Sequence, residues 1–280
     1  MISLSKFKWK PILFLSLCSI GCFSISLKKR EMKNKNNISI GILDTGFCLN
    51  KINFKRKNIT IKPVEIMTPP FTIPCRRKTL LGRRFHGHYV LEEFLKTLSS
   101  NINITIYPYV IFDKKGRQDK VFWKKAFDSM DYHQVDFALI AAGLPVVNKT
   151  NLPYLRTGTT YFVASGKETV GITSETKLFP HNLHKNKNLI MIGSFYEPTK
   201  KDPRLILDTS ILNFDKTDYF FSGGNNNNEL RGSSRAVSYG LARAINLCEK
   251  SLKSLNACLK NIAQKKEAIY QNGKVSIQTY

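Results

Sequence analysis

Apolar residues fall along this chain in short continuous runs, separated by polar stretches of helical period. The run ISIGILD at 38–44 is β-branched and unbroken, the pattern of a strand buried on both faces. Four more follow: ITIYPYVIF (104–112), VDFALIAAG (135–143), YFVASG (161–166) and LIMIGSF (189–195). Between them, HGHYVLEEFLKTL gathers Val90, Leu91, Phe94, Leu95 and Leu98 on one helical side. Residues 118–131 do the same with Val121, Phe122, Ala126, Phe127 and Met130. Strands alternating with helices predict an α/β fold of three layers, a mostly parallel central sheet with helices on both faces. Residues 145–160 are too polar and broken to read as a helix, and no internal repeat is found. One domain over 38–280 is expected.

The last long helical pattern, ELRGSSRAVSYGLARAINL at 229–247, has an apolar side of small residues: Ala236, Val237, Gly240, Leu241, Ala244 and Ile245. A helix that thin can pass through the middle of a domain. Two serines stand at its mouth, where unpaired N–H groups and the positive end of the helix dipole favour negative charge. A serine there can simply cap the helix. It can also be a nucleophile whose developing oxyanion meets those N–H groups.

The N-terminus carries Lys6, Lys8 and Lys10, then an apolar run ending in Gly21-Cys22. That is the composition of an export signal over 1–22, followed by a polar basic tether over 23–37. The end, SIGC, resembles the lipobox of bacterial lipoproteins, in which the cysteine is lipidated; Ser19 stands where Leu is usual. The expected location is therefore a bacterial cell envelope, with Cys22 holding a lipid anchor in the membrane. The competing reading is an uncleaved anchor over 11–27, at the short limit for a span.

Export makes disulfides admissible. Cys18 lies inside the apolar run, which leaves Cys48, Cys75, Cys248 and Cys258. Three pairings are possible. The local one joins Cys48 to Cys75 and Cys248 to Cys258, and four reduced, buried cysteines are the other reading. The formal charge of +24 changes little, because Lys, Asn and Ile are spread evenly and no nucleic-acid-binding motif accompanies them. No nucleic-acid partner is expected.

Three polar residues change the picture together. In open α/β sheets, sites gather at the carboxyl ends of strands. The first strand ends in Asp44, before Thr45-Gly46, where an Asp often serves only as a turn former. His86 opens the first helix and Ser234 the last, each explicable alone as a surface or capping residue. In the order Asp, His, Ser they are the parts of an acyl-transfer triad. Asp44 would orient His86, which would take the proton from Ser234.

On these residues the chain resembles the subtilisin-like serine proteases (subtilases). ILDTGF is similar to their Asp block, HGHYV to His-Gly-Thr-His-Val, and RGSSRAVS to Gly-Thr-Ser-Met-Ala-x-Pro with Ser238 in place of Pro. AAGLP (141–145) is similar to the cleft-lining Ser-Leu-Gly-Gly-Pro segment, and YQNGKVS (270–276) to the closing block. The resemblance spans about 38–276 and implies a subtilisin-like fold and a serine endopeptidase acting on protein or peptide substrates. It implies Asp44, His86 and Ser234 as the triad, the Ser234 N–H as one oxyanion donor, and Ala141, Ala142, Gly143, Ser165 and Gly166 as the substrate-binding walls.

The chain departs from the family at the other oxyanion donor. VASGKET puts Lys167 where the family has an Asn, followed by Glu168. A lysine can serve an oxyanion as a mobile point charge, or pair with Glu168, or disturb His86. Only the tether separates Cys22 from the first strand, so folding without an N-terminal propeptide domain is expected. No cofactor is expected, and no calcium site can be read from the sequence. Two rivals accompany the peptidase: the same fold kept as an inactive binding module in the envelope, and a basic protein that binds anionic lipid or polysaccharide.

Overall fold

The computed structural model describes residues 37–52, 54, 56–67, 75, 84–113, 115–146, 152–167, 172–173, 175–197, 204–208, 211–224, 229–271 and 273–280. The expected export signal with Cys18 and Cys22, and the expected tether as far as residue 36, lie outside them, as does Glu168.

Strand β1 (Asn37–Asp44) is the ISIGILD run and lies inside the sheet, paired on both edges. After it come β2 (Ile59–Ile61), β3 (Glu65–Ile66), helix α1 (His86–Thr97) and β4 (Asn103–Val110). Helix α2 (Lys120–Tyr132), β5 (Phe137–Ile140), β6 (Leu144–Pro145), β7 (Thr160–Ala164), β8 (Leu178–Phe179), β9 (Leu189–Tyr196) and β10 (Ile206–Leu207) follow. The chain closes with β11 (Tyr219–Ser222), α3 (Gly232–Leu247), α4 (Leu255–Ile262), β12 (Gln264–Tyr270) and β13 (Gly273–Thr279). The main sheet runs β13-β12-β10-β9-β7-β5-β1-β4-β2, with β11 also on β9 and β3 on β4. From β9 to β2 every pairing is parallel; β10 on β9 and the β12–β13 hairpin are antiparallel. This is the predicted three-layer, mostly parallel α/β architecture. All of it belongs to one unit, Asn36–Tyr280.

The alternation along β1 separates the two layers. Ile38, Ile40 and Ile42 face α1 and α3, packing with Val90, Leu91, Phe94, Val237, Leu241 and Ile245. Leu43 belongs to the opposite layer with Trp123, Phe127 and Met130 of α2. Both faces of the sheet are covered, which is why its strands read as continuous apolar runs. On α2 the buried stripe is Trp123, Ala126, Phe127 and Met130; Val121, expected on the core side, is 54% exposed. The spacing from residue 123 to 130 is the helical i, i+3, i+4, i+7 set, so the true face begins at Trp123.

Helix α3 has the thin side expected of it. Ala236, Val237, Ser238, Leu241, Ala242, Ala244 and Ile245 are all fully buried, because the helix lies between α1 and the sheet. Gly240 permits that closeness: a Cβ there would come within 2.9 Å of the Phe221 ring on β11. Polar groups tie the far end of the helix pair. The Asn246 side chain accepts from the Ser99 and Ser100 N–H groups at 2.8 and 3.0 Å and donates to the Thr97 carbonyl at 3.0 Å.

Both local cysteine pairs are at disulfide distance, Cys48 with Cys75 and Cys248 with Cys258. The second staples the end of α3 to α4 across a sequence separation of 10 residues. Closing a loop that short stabilises the fold by ~2.5 kcal/mol through the unfolded state. Cys258→Ser is therefore expected to lower unfolding free energy by about that amount in denaturant titration. Recovery of both residues as free thiols in non-reducing peptide maps of the wild type would refute the pairing.

Candidate active site

Asp44 ends β1 at the carboxyl edge of the sheet, 1% exposed. The next two residues serve the helix that carries His86. The Thr45 hydroxyl oxygen accepts from the Gly87 N–H at 3.2 Å, and the Gly46 carbonyl accepts from the His88 N–H at 3.1 Å. Phe85, at the N-cap of α1, supplies no side-chain cap. The Asp-Thr-Gly turn thus caps α1 from a distance and satisfies orphan N–H groups of its first turn.

That cap requires α1 to approach β1 very closely. A Cβ on Gly87 would lie 2.8 Å from both the Asp44 Cβ and the Phe47 ring, so any side chain at this position would drive the helix back. With glycine there, the His86 ring meets the Asp44 carboxylate, its Nδ1 lying 2.9 Å from each oxygen. A carboxylate only accepts, so Nδ1 carries the proton and Nε2 is left as the base in the neutral ring. Burial alone would lower the His86 pKa, but the Asp44 charge and its hydrogen bond outweigh it and hold the value above 6.5. Asp44 also accepts from the Thr45 N–H at 2.6 Å, the ordinary turn-forming bond. It is turn former and imidazole partner at once.

Ser234 lies in the first turn of α3, not at its cap. The N-cap is Arg231, which makes no side-chain capping bond, and Ser233 and Ser234 are within the helix. The turn into α3 needs two glycines. Gly232 has a left-handed φ of +63°, and a Cβ on Gly223 would come within 3.2 Å of the Gly232 Cα. The capping explanation of the serine pair therefore fails: both serines lie within the helix and line a cleft.

That cleft, about 650 Å³, brings most of the expected residues together. Asp44, His86, Ser233, Ser234, Ala141, Ala142, Gly143, Gly166 and Lys167 all line it. The Asp44–His86 pair is hydrogen-bonded, whereas Ser234 shares only the cleft with His86. Lys167 is exposed on the turn after β7, bridged through its backbone to Ile211, with no ion-pair partner among the described residues.

One expectation changes. Ser165 does not line the wall: it is fully buried, and its carbonyl accepts from Asn213 Nδ2 at 3.0 Å. Gly143 lines the cleft as expected, and its carbonyl accepts from Gln118 Nε2 at 2.7 Å. Trp123 Nε1 donates to Gln118 Oε1 at 2.9 Å. Because an indole N–H only donates, that contact fixes which end of the amide faces Gly143. Gln118 gave no signal in the sequence.

Neither did His181, which lines the cleft floor at 2% exposure. Its Nε2 lies 2.7 Å from the Ala164 carbonyl and must therefore carry the proton. Burial lowers its pKa to about 4, so it supports the wall as a neutral ring. His88, in the first turn of α1, is also buried, and desolvation lowers its pKa; the i+4 neighbour Glu92 lies 3.7 Å away. Among the described residues, no group of three or more His, Cys, Asp or Glu side chains is arranged to hold a metal ion. Nor is any described helix long and apolar enough to cross a membrane.

No protein-family model and no curated protein matches the chain.

The His86 titration checks the pair directly. A raised pKa means the stabilisation it supplies is fully present below pH 6.5 and is lost as pH rises through the folded-state value. The imidazole midpoint followed by NMR is expected above 6.5 in the wild type. In Asp44→Asn it should fall below that, where burial is left as the main influence. An unchanged midpoint in the variant would show that Asp44 does not hold the ring.

Proposed function

We propose that this protein is a subtilisin-like serine endopeptidase, exported and anchored to the cell envelope by lipid on Cys22. The observation that carries the reading is the Asp44–His86 hydrogen bond at the head of α1, opening on the same cleft as Ser234 in the first turn of α3. The order of the three motifs along the chain supports it.

In this mechanism His86 Nε2 removes the Ser234 hydroxyl proton as the oxygen attacks the scissile carbonyl carbon. Asp44 holds the ring in the required tautomer and stabilises the imidazolium that forms. The tetrahedral oxyanion is met by the N–H groups of the first turn of α3 and by the dipole behind them. Lys167, which lines the same cleft, supplies a cation where a subtilase supplies a neutral amide. The imidazolium then protonates the leaving amine, and a water activated by the same His86 hydrolyses the acyl-enzyme. The base must be neutral, so activity should rise with pH through the raised His86 pKa.

An inactive binding module is the second reading, favoured by the exposure and mobile side chain of Lys167 at the place of a fixed donor. Labelling with a fluorophosphonate separates the two. The wild type is expected to be phosphonylated with loss of fluoride, and Ser234→Ala is expected to remain unlabelled. Equal labelling of both proteins would remove Ser234 as nucleophile, and an inert wild type would favour the binding module.

Lys167 gives an independent test. Its change to Ala should lower turnover of a casein-type substrate roughly tenfold to a thousandfold, the range for one oxyanion contact. Lys167→Asn, which restores a neutral donor, should retain or raise turnover. Cleavage by Lys167→Ala at the wild-type rate would show that this side chain does not serve the oxyanion.

A further inference from the structure

Arg235 follows the proposed nucleophile directly and sits in the first turn of α3, where the helix dipole opposes a cation. Its side chain is nonetheless only 13% exposed. Such a group is tolerated when carboxylates and acceptors surround it, and they do. One end of the guanidinium, Nη2, lies 3.1 Å from Glu93 Oε1 on α1. The other, Nη1, donates to the Ser222 carbonyl at 3.1 Å and to the Ser222 hydroxyl oxygen at 2.8 Å, with Glu197 at 3.7 Å. Ser222 ends β11 and its hydroxyl donates to Glu197. Three elements thus meet at one planar fork, a geometry that lysine cannot reproduce.

The position of Glu93 gives that fork its meaning. It stands seven residues after His86, two turns along the same side of α1. The ion pair therefore joins the helix that carries the base to the helix that carries the nucleophile, within one residue of Ser234. The opposite ends of these two helices are tied separately by Asn246 to Thr97, Ser99 and Ser100.

We infer that Arg235 is a positioning residue: through Glu93 and Ser222 it sets the spacing between His86 and Ser234. The inference rests on the serine-peptidase reading above. It assigns the Asn246 contacts to stability alone, because they act at the end of the helix pair away from the cleft.

The test is fluorophosphonate labelling kinetics on the full chain, resolved into maximal rate and half-saturating concentration, with the melting temperature measured in parallel. Arg235→Met should lower the maximal rate about tenfold to a hundredfold, the loss expected when a reacting pair is displaced by about an ångström. Half-saturation should move less than about threefold, since the walls that bind the probe are untouched. Glu93→Gln, nearly isosteric and the fallback if Arg235→Met fails to fold, should lower the maximal rate in the same sense. The double variant should be no slower than the slower single one, because both break one linkage. Asn246→Ala should lower the melting temperature and leave the maximal rate unchanged. Wild-type rates in folded Arg235→Met or in Glu93→Gln would overturn the inference, as would an equal loss in Asn246→Ala. An unlabelled wild type would overturn the peptidase reading and this inference with it.

Discussion

The approach of α1 to the end of β1 is the constraint on which the site depends, and a missing Cβ permits it. With Gly87 pressed against Asp44 and Phe47, the Asp-Thr-Gly turn can cap the helix through Thr45 and Gly46. The same closeness presents the Asp44 carboxylate to His86. Capping, tertiary packing and the orientation of the imidazole are one arrangement. Loosening any of them would loosen all three, because each needs the helix at the same depth.

Helix α3 meets a similar demand from the other side. It brings Ser234 to the cleft by passing between α1 and the sheet, and only small residues leave room for that path. Gly240 lets it lie on Phe221, while Gly223 and Gly232 let the chain turn sharply into its first residue. The result is that Ser233 and Ser234 of its first turn line the cleft. A cation in that turn works against the dipole, and Arg235 is held there by Glu93 and Ser222. The linkage between the two helices is therefore set at the point where the dipole gives it least help.

The walls of the cleft show how a scaffold can occupy its own polar groups. Gln118, oriented by Trp123, engages the Gly143 carbonyl, and His181 props the Ala164 carbonyl from below. Both are neutral donors placed beneath main-chain acceptors. They keep the segments after β5 and β7 in position without adding charge to the cleft.

Much of this was legible in the chain itself. Continuous apolar runs marked β1, β4, β5, β7 and β9, since strands covered on both faces need apolar residues at every position. Helical spacing marked α1 and α3, and the order Asp44, His86, Ser234 marked the residues at the carboxyl edge of the sheet. Spacing left the cysteine pairing open, and the fold brings Cys48 to Cys75 and Cys248 to Cys258. The short strands β2, β3 and β10 leave no periodic trace, and Val121 fits the apolar spacing of α2 yet is exposed, because the buried stripe begins at Trp123. Ser165 sat on a strand end like its neighbours, yet tertiary packing buried it against Asn213. Gln118, His181 and the Arg235–Glu93 pair were out of reach for the same reason. Periodicity reports which face of an element is covered, while these contacts join residues far apart in sequence. The chain alone determined the long buried strands and the helices, their order and the chemical groups at their ends. Only the packing of α1 and α3 against one sheet decided which of those groups touch, because those distances depend on how closely whole elements approach.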